Sequence, residues 1–140
     1  MKTLVLFSGG LDSAVLLASL LPDAVALTFD YGQPHRLEIK YAQAFCNVRD
    51  VEHLVVPLQL AGGGLLDKDS DTPVVPGRNF AMLAVAATYA IRTGSVQIAI
   101  GVAGDDRDLF ADCRPMFIQA FNRMTVSYTH LRAHETVLDL

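Results

Sequence analysis

Near the N-terminus, Ser8-Gly9-Gly10-Leu11-Asp12-Ser13 places two hydroxyls, two glycines and a carboxylate directly after the apolar run Thr3 to Phe7. Glycines let backbone N–H groups approach an anion closely, and a helix starting just behind them adds the positive end of its dipole. The chemistry such a loop suits is the holding of a phosphate chain. It is not a Walker A loop, because no Gly-Lys pair occurs in the chain, and it is not a dinucleotide fingerprint, because GxGxxG is absent. Further charged candidates follow. Asp30 lies in Phe29-Asp30-Tyr31-Gly32-Gln33, with His35 and Glu38 after it. Arg78 lies in Val75-Pro76-Gly77-Arg78-Asn79, where a guanidinium ahead of a helix suits a carboxylate or a phosphate. Asp106, Asp112 and Arg114 lie in the stretch that opens with Gly101-Val102.

Each candidate has a plainer reading. Asp30 could end a strand at a glycine turn, Pro76-Gly77 is a common turn, Asn79 a common helix cap, and His35 as much a surface residue as a ligand contact. Cys46 and His53 read as packing residues. Cys113 sits between Asp112 and Arg114, but no histidine stands beside it as a base, so no cysteine nucleophile is expected.

These loops need elements to position them. Thr3 to Phe7, Ala24 to Phe29, Val51 to Val56 and Val96 to Ile100 are short apolar runs of the kind found in strands buried on both faces. Helices are expected between them: Asp12 to Leu21, Pro34 to Phe45 with Leu37, Tyr41, Ala44 and Phe45 on one stripe, Asn79 to Arg92 stopped by Gly94, and Pro115 to Met124. Pro57 to Gly77 is a long connection, expected to serve as a lid or substrate loop. Strand and helix in alternation predict an α/β fold, a doubly wound, Rossmann-like parallel sheet of four strands with flanking helices. In such sheets ligands sit at the carboxyl ends of the strands, where every polar cluster named above falls.

With 140 residues, 51% of them hydrophobic and 19% charged, the chain has the material for one globular domain. A net charge of −4 without any basic run argues against a nucleic-acid partner. No stretch approaches the roughly 20 apolar residues of a membrane span, so no membrane partner is expected. Met1 to Gly10 reads as a strand and its turn rather than a leader peptide. Two cysteines without a CxxC pair fit a reducing compartment, and the cytoplasm is expected.

The loop Ser8 to Ser13 resembles the SGGxDS pyrophosphate loop of the ATP-pyrophosphatase superfamily. The full set, with FDYGQ at Phe29 to Gln33, PGRN at Pro76 to Asn79 and the cluster from Gly101 to Arg114, resembles the 7-cyano-7-deazaguanine synthase (QueC) family from about Lys2 to about Met124. That resemblance implies an adenine nucleotide alpha hydrolase-like fold and an ATP-dependent ligase of queuosine biosynthesis. Its substrates would be 7-carboxy-7-deazaguanine and ammonia, and its product the nitrile preQ0, formed through an adenylated carboxylate. It implies ATP held by Phe7, Ser8, Gly9, Gly10, Leu11, Asp12, Ser13, Ala14, Val15, Leu16 and Leu17, with Asp12 near phosphates bound to Mg²⁺. Asp30, Arg78, Asp106, Asp112 and Arg114 would be the catalytic set, and a homodimer is compatible with it. The alternatives are a non-catalytic adenine-nucleotide-binding module, which would need the loop but not the charged clusters, and an inactive fragment of another amide-forming or tRNA-modifying relative.

Family members are expected to continue into a zinc-binding cysteine cluster that this chain lacks, so zinc is expected of the full-length family only and no metal ligand is assigned here. Residues 1–125 are expected to form the nucleotide-binding domain, incomplete at its C-terminal end. Val126 to Leu140 departs from the family pattern in the way a translated sequencing adapter would, and its apolar residues form neither a helical stripe nor a strand alternation. It is expected to add nothing to the fold, and the i, i+4 spacing of His130 and His134 is taken as coincidence rather than a metal pair.

Overall fold

The computed structural model describes residues 1–32, 36–59, 78–103, 115–129 and 132–138. The elements run β1 (Thr3–Leu6), α1 (Leu11–Ser19), β2 (Ala24–Asp30), α2 (Leu37–Val48), β3 (His53–Pro57), α3 (Arg78–Thr93), β4 (Gln97–Ala103), α4 (Pro115–Thr129) and β5 (Arg132–Leu138). The strands form one sheet in the order β3-β2-β1-β4-β5. Every neighbouring pair is parallel. The chain winds from β1 to β3 in one direction and from β4 to β5 in the other, so the order reverses between β1 and β4. That is the doubly wound architecture expected from the alternation of runs.

Strand periodicity divides the apolar residues between two cores. Leu4, Leu6, Val25, Leu27 and Ile98 point to the face covered by Leu83, Ala86 and Ala90 of α3 and by Ile118 and Phe121 of α4. Val5, Ala24, Ala26 and Ala99 point to the other face, where Leu16 and Leu17 of α1 and Ala42 and Cys46 of α2 cover them. The second face is built largely from small side chains, which brings its two helices close to the sheet.

Closeness explains one correction. The expected α2 stripe of Leu37, Tyr41, Ala44 and Phe45 is rotated: Leu37 and Tyr41 are exposed, while Ala42 and Cys46 are buried and Phe45 packs beside them. A Cβ added at Gly9 would strike the carbonyl oxygen of Glu38 and come within 3.4 Å of the Ala42 backbone nitrogen. The first turns of α2 therefore rest directly on the loop after β1, and only small residues fit that contact.

The second correction concerns the C-terminal segment. A fifth strand, β5, stands where no element was expected, paired with β4 from Gln97↔Arg132 to Ala103↔Leu138. The last helix also runs on to Thr129. An outermost strand needs only a free backbone ladder beside it, so polar residues without apolar alternation can occupy it. Within α4, Thr125 is buried and its hydroxyl donates to the Phe121 carbonyl at 3.1 Å. His134 lies in β5, and His130 lies outside the described residues. No helix among the described residues is long and apolar enough to cross a membrane.

Candidate functional site

The loop after β1 enters the crevice where the strand order reverses. Gly9 takes φ +88°, a conformation that costs other residues about 1–2 kcal/mol, and its missing side chain makes room for α2. Gly10 caps α1 without offering a side-chain acceptor. The first N–H groups of α1, those of Leu11, Asp12 and Ser13, have no carbonyl of their own helix to bond. Such first-turn N–H groups are suited to an anion.

The two serines fix the loop's shape. Ser13 Oγ donates to the Gly10 carbonyl at 3.1 Å and accepts from the Ser8 N–H at 3.2 Å. Because the Ser13 proton is already committed, Ser8 Oγ is the donor in the 3.0 Å contact between the two hydroxyls, and it accepts in turn from the Gly10 N–H at 3.1 Å. The hydroxyls hold the loop rather than reach into the crevice, and the free donors are backbone.

A second layer supports the loop from below. The Thr28 hydroxyl donates to the Phe7 carbonyl at 2.6 Å and lies 2.7 Å from His53 Nε2. The Phe7 ring packs against Phe45 with centroids 5.3 Å apart and against His53 at 6.3 Å. Burial lowers the His53 pKa below the ordinary imidazole value, which keeps the ring neutral at neutral pH.

Asp30 ends β2 and lines an open cleft of about 460 Å³ with Tyr31, Gly32, Arg36, Pro57 and Leu58. Its Oδ1 accepts from the Gly32 N–H at 3.3 Å, and its Oδ2 lies 3.6 Å from the Arg36 guanidinium. The backbone of Asp30 also accepts from the Leu58 N–H at 2.8 Å, which binds the ends of β2 and β3 together. The Arg36 side chain is 72% exposed and that of Asp30 is 32% exposed, so this pair is well solvated and weak.

Placement of the expected residues is uneven. Gly9, Gly10, Leu11 and Asp12 belong to the loop and the first turn of α1, with Ser8 and Ser13 bracing them and Ala14 packed against the core. Val15 is on the exposed side of α1, whereas Phe7, Leu16 and Leu17 are core residues that fix the loop from below. Arg78 opens α3, whose N-terminus stands at the carboxyl edge because the helix leads back to the start of β4. Asp106, Asp112, Arg114, Cys113 and His35 lie outside the described residues, as does most of the long connection after Pro57. Cys46 is buried and burial pushes its thiol up to about 11 against the opposing pull of Arg49, as expected of a packing residue. Thr28, Arg36 and the hydrogen-bonding role of His53 went unrecognised in the sequence, where a threonine inside a strand and a histidine opening the next one carry no motif.

A profile of the family described as "Queuosine biosynthesis protein QueC" matches residues 2–137. The chain belongs to the QueC family. The match continues through residues 126–137, the segment that the sequence set apart. Among the family's curated relatives, the chain is 35% identical over 141 residues to the 7-cyano-7-deazaguanine synthase of Psychromonas ingrahamii, covering 86% of this chain and 64% of the relative. It is 38% identical over 143 residues to that of Brucella ovis, covering 89% and 62%. The chain thus spans somewhat under two thirds of the length of these relatives. Among solved structures it is similar to an NH3-dependent NAD synthetase from Campylobacter jejuni, with a TM-score of 0.51, 19% identity and coverage of 70% of this chain and 45% of the other. It is also similar to the U34-tRNA thiolase NcsA from Methanococcus maripaludis, with a TM-score of 0.61, 20% identity and coverage of 96% and 50%. At that identity the likeness establishes the shared fold of this QueC chain.

Proposed function

We propose that the chain carries the nucleotide-binding half of an ATP-dependent ligase that converts 7-carboxy-7-deazaguanine and ammonia to 7-cyano-7-deazaguanine. The observation that carries this reading is the braced loop, with its unshared backbone donors at the strand-order reversal, in a chain of the QueC family. The first-turn N–H groups of α1 would hold phosphates and stabilise the charge that develops on departing pyrophosphate. Asp12 stands in that same turn, where its carboxylate would repel a phosphate chain unless a cation lay between them. That donor set fits Mg²⁺, which would be held by Asp12 and phosphate oxygens and would neutralise the leaving group.

The chemistry balances as two activations. The substrate carboxylate attacks the α-phosphorus of ATP and pyrophosphate leaves. Ammonia then displaces AMP from the acyl adenylate to give the amide. A second ATP adenylates the amide oxygen, again with loss of pyrophosphate, and loss of AMP and a proton leaves the nitrile. The cleft at Asp30 and Arg36 is of a size that suits a small heterocycle, with Asp30 able to accept from ring N–H groups and Arg36 able to pair with a carboxylate. Arg78, Asp106, Asp112 and Arg114 are proposed as further catalytic residues. The described residues offer no zinc site. The chain has two cysteines, one of them buried in the core, and among the described residues no group of three His, Cys, Asp or Glu side chains comes together.

The test is incubation of the chain with MgATP, ammonium and 7-carboxy-7-deazaguanine, with the nitrile and AMP followed by mass spectrometry. Nitrile formation that is lost in Asp30→Ala is the expected result. ATP binding without AMP release would point instead to a non-catalytic nucleotide-binding module.

A further inference from the structure

We infer that Thr28 and His53 are positioning residues for the phosphate loop, acting through the single peptide bond that joins Phe7 to Ser8. This rests on the nucleotide reading of the loop and adds two residues to it. The peptide is gripped at both of its polar ends. Its carbonyl oxygen, on Phe7, accepts from Thr28 Oγ1 at 2.6 Å, and its N–H, on Ser8, donates to Ser13 Oγ at 3.2 Å. With both ends fixed, the peptide plane cannot rotate, and the direction in which the chain enters Gly9 and Gly10 is set before any ligand arrives.

The Phe7 carbonyl fixes which way the Thr28 hydroxyl points, and with it which His53 nitrogen carries the proton. A hydroxyl has one proton, and the Phe7 carbonyl can only accept, so that proton lies toward Phe7. The oxygen of Thr28 is therefore the acceptor in its 2.7 Å contact with His53, and Nε2 carries the hydrogen that donates to it. The chain of donors runs in one direction, His53 Nε2 to Thr28 Oγ1 to Phe7 O. Thr28 is almost fully buried, at 1% exposure, and its bond to the Phe7 carbonyl is shielded from water. Neighbouring strands supply the three residues: Phe7 follows β1, Thr28 is in β2 and His53 opens β3. The sheet itself therefore sets the loop's entry, independently of the serine bridge above.

The test compares Thr28→Val, which keeps shape and removes the hydroxyl, with Thr28→Ser, which restores it, and with His53→Phe, which keeps the ring packing and removes the donor. ATP affinity is measured by calorimetry, and the Ser8 amide by its hydrogen-exchange protection. Thr28→Val is expected to weaken ATP binding roughly tenfold and to lower Ser8 protection, the loss of about one net hydrogen bond at the loop. Thr28→Ser is expected to recover most of both. If Thr28→Val does not fold, His53→Phe makes the same comparison with a smaller loss. Unchanged ATP affinity and unchanged Ser8 protection in a folded Thr28→Val would overturn the inference. Absence of ATP binding by the unmodified chain would overturn the nucleotide reading instead, and Ser8 protection in the variants would then decide the positioning role by itself.

Discussion

The loop after β1 and the cleft after β2 stand on the same edge of the sheet, yet they spend their polar groups differently. In the loop, the hydroxyls of Ser8, Ser13 and Thr28 are each committed to a neighbour, and the free donors are backbone N–H groups that cannot turn away. In the cleft, Asp30 and Arg36 form a long, weak, solvated pair, and the Arg36 side chain is largely exposed. Phosphate groups are common to every nucleotide and reward a rigid receptor, since the ordering cost is met during folding. A small heterocycle with a reacting carboxylate rewards groups that can adjust. On the function proposed here, the molecule would pair a fixed end with a more exposed, adaptable one.

Substitutions can break this contrast. The largest effect is expected at Gly9, where Gly9→Ala would combine a left-handed backbone with a collision against the Glu38 carbonyl. A loss of more than about 2 kcal/mol in urea unfolding is expected. A loss near zero would mean that the loop is free to shift away from α2 and is not rigid. The smallest effect is expected at Arg36. Arg36→Ala should change stability by less than about 0.5 kcal/mol, because the ion pair is solvated. A larger loss would place Arg36 among the residues that hold the fold and would erase the difference between the two regions.

Much of the rigid end was legible in the sequence. Two glycines, two serines and an aspartate between a buried strand and a helix have few structural uses, and Thr3 to Phe7 and Ala24 to Phe29 are apolar enough to announce central strands. The adaptable end and the supports were harder to read. Arg36 meets Asp30 only through the turn between β2 and α2, and Thr28 meets Phe7 and His53 only through strand pairing. The rotation of α2 followed from a contact at Gly9 that no helical periodicity encodes, since Leu37 and Tyr41 look as apolar as Ala42 and Cys46. The strand at Arg132–Leu138 was hidden because pairing at an outer position depends on the backbone ladder of β4 and leaves no alternation in the side chains.

The most direct measurement is a calorimetric titration of MgATP into the unmodified chain and into Gly10→Val. A Cβ at Gly10 would lie 3.3 Å from Ser8 Oγ, and the branches of valine would crowd the helix-cap donors. Binding by the unmodified chain and its loss in a Gly10→Val protein that keeps its circular dichroism spectrum is the expected result. Equal affinity in the two proteins would contradict the assignment of the Ser8 to Ser13 loop as the nucleotide site.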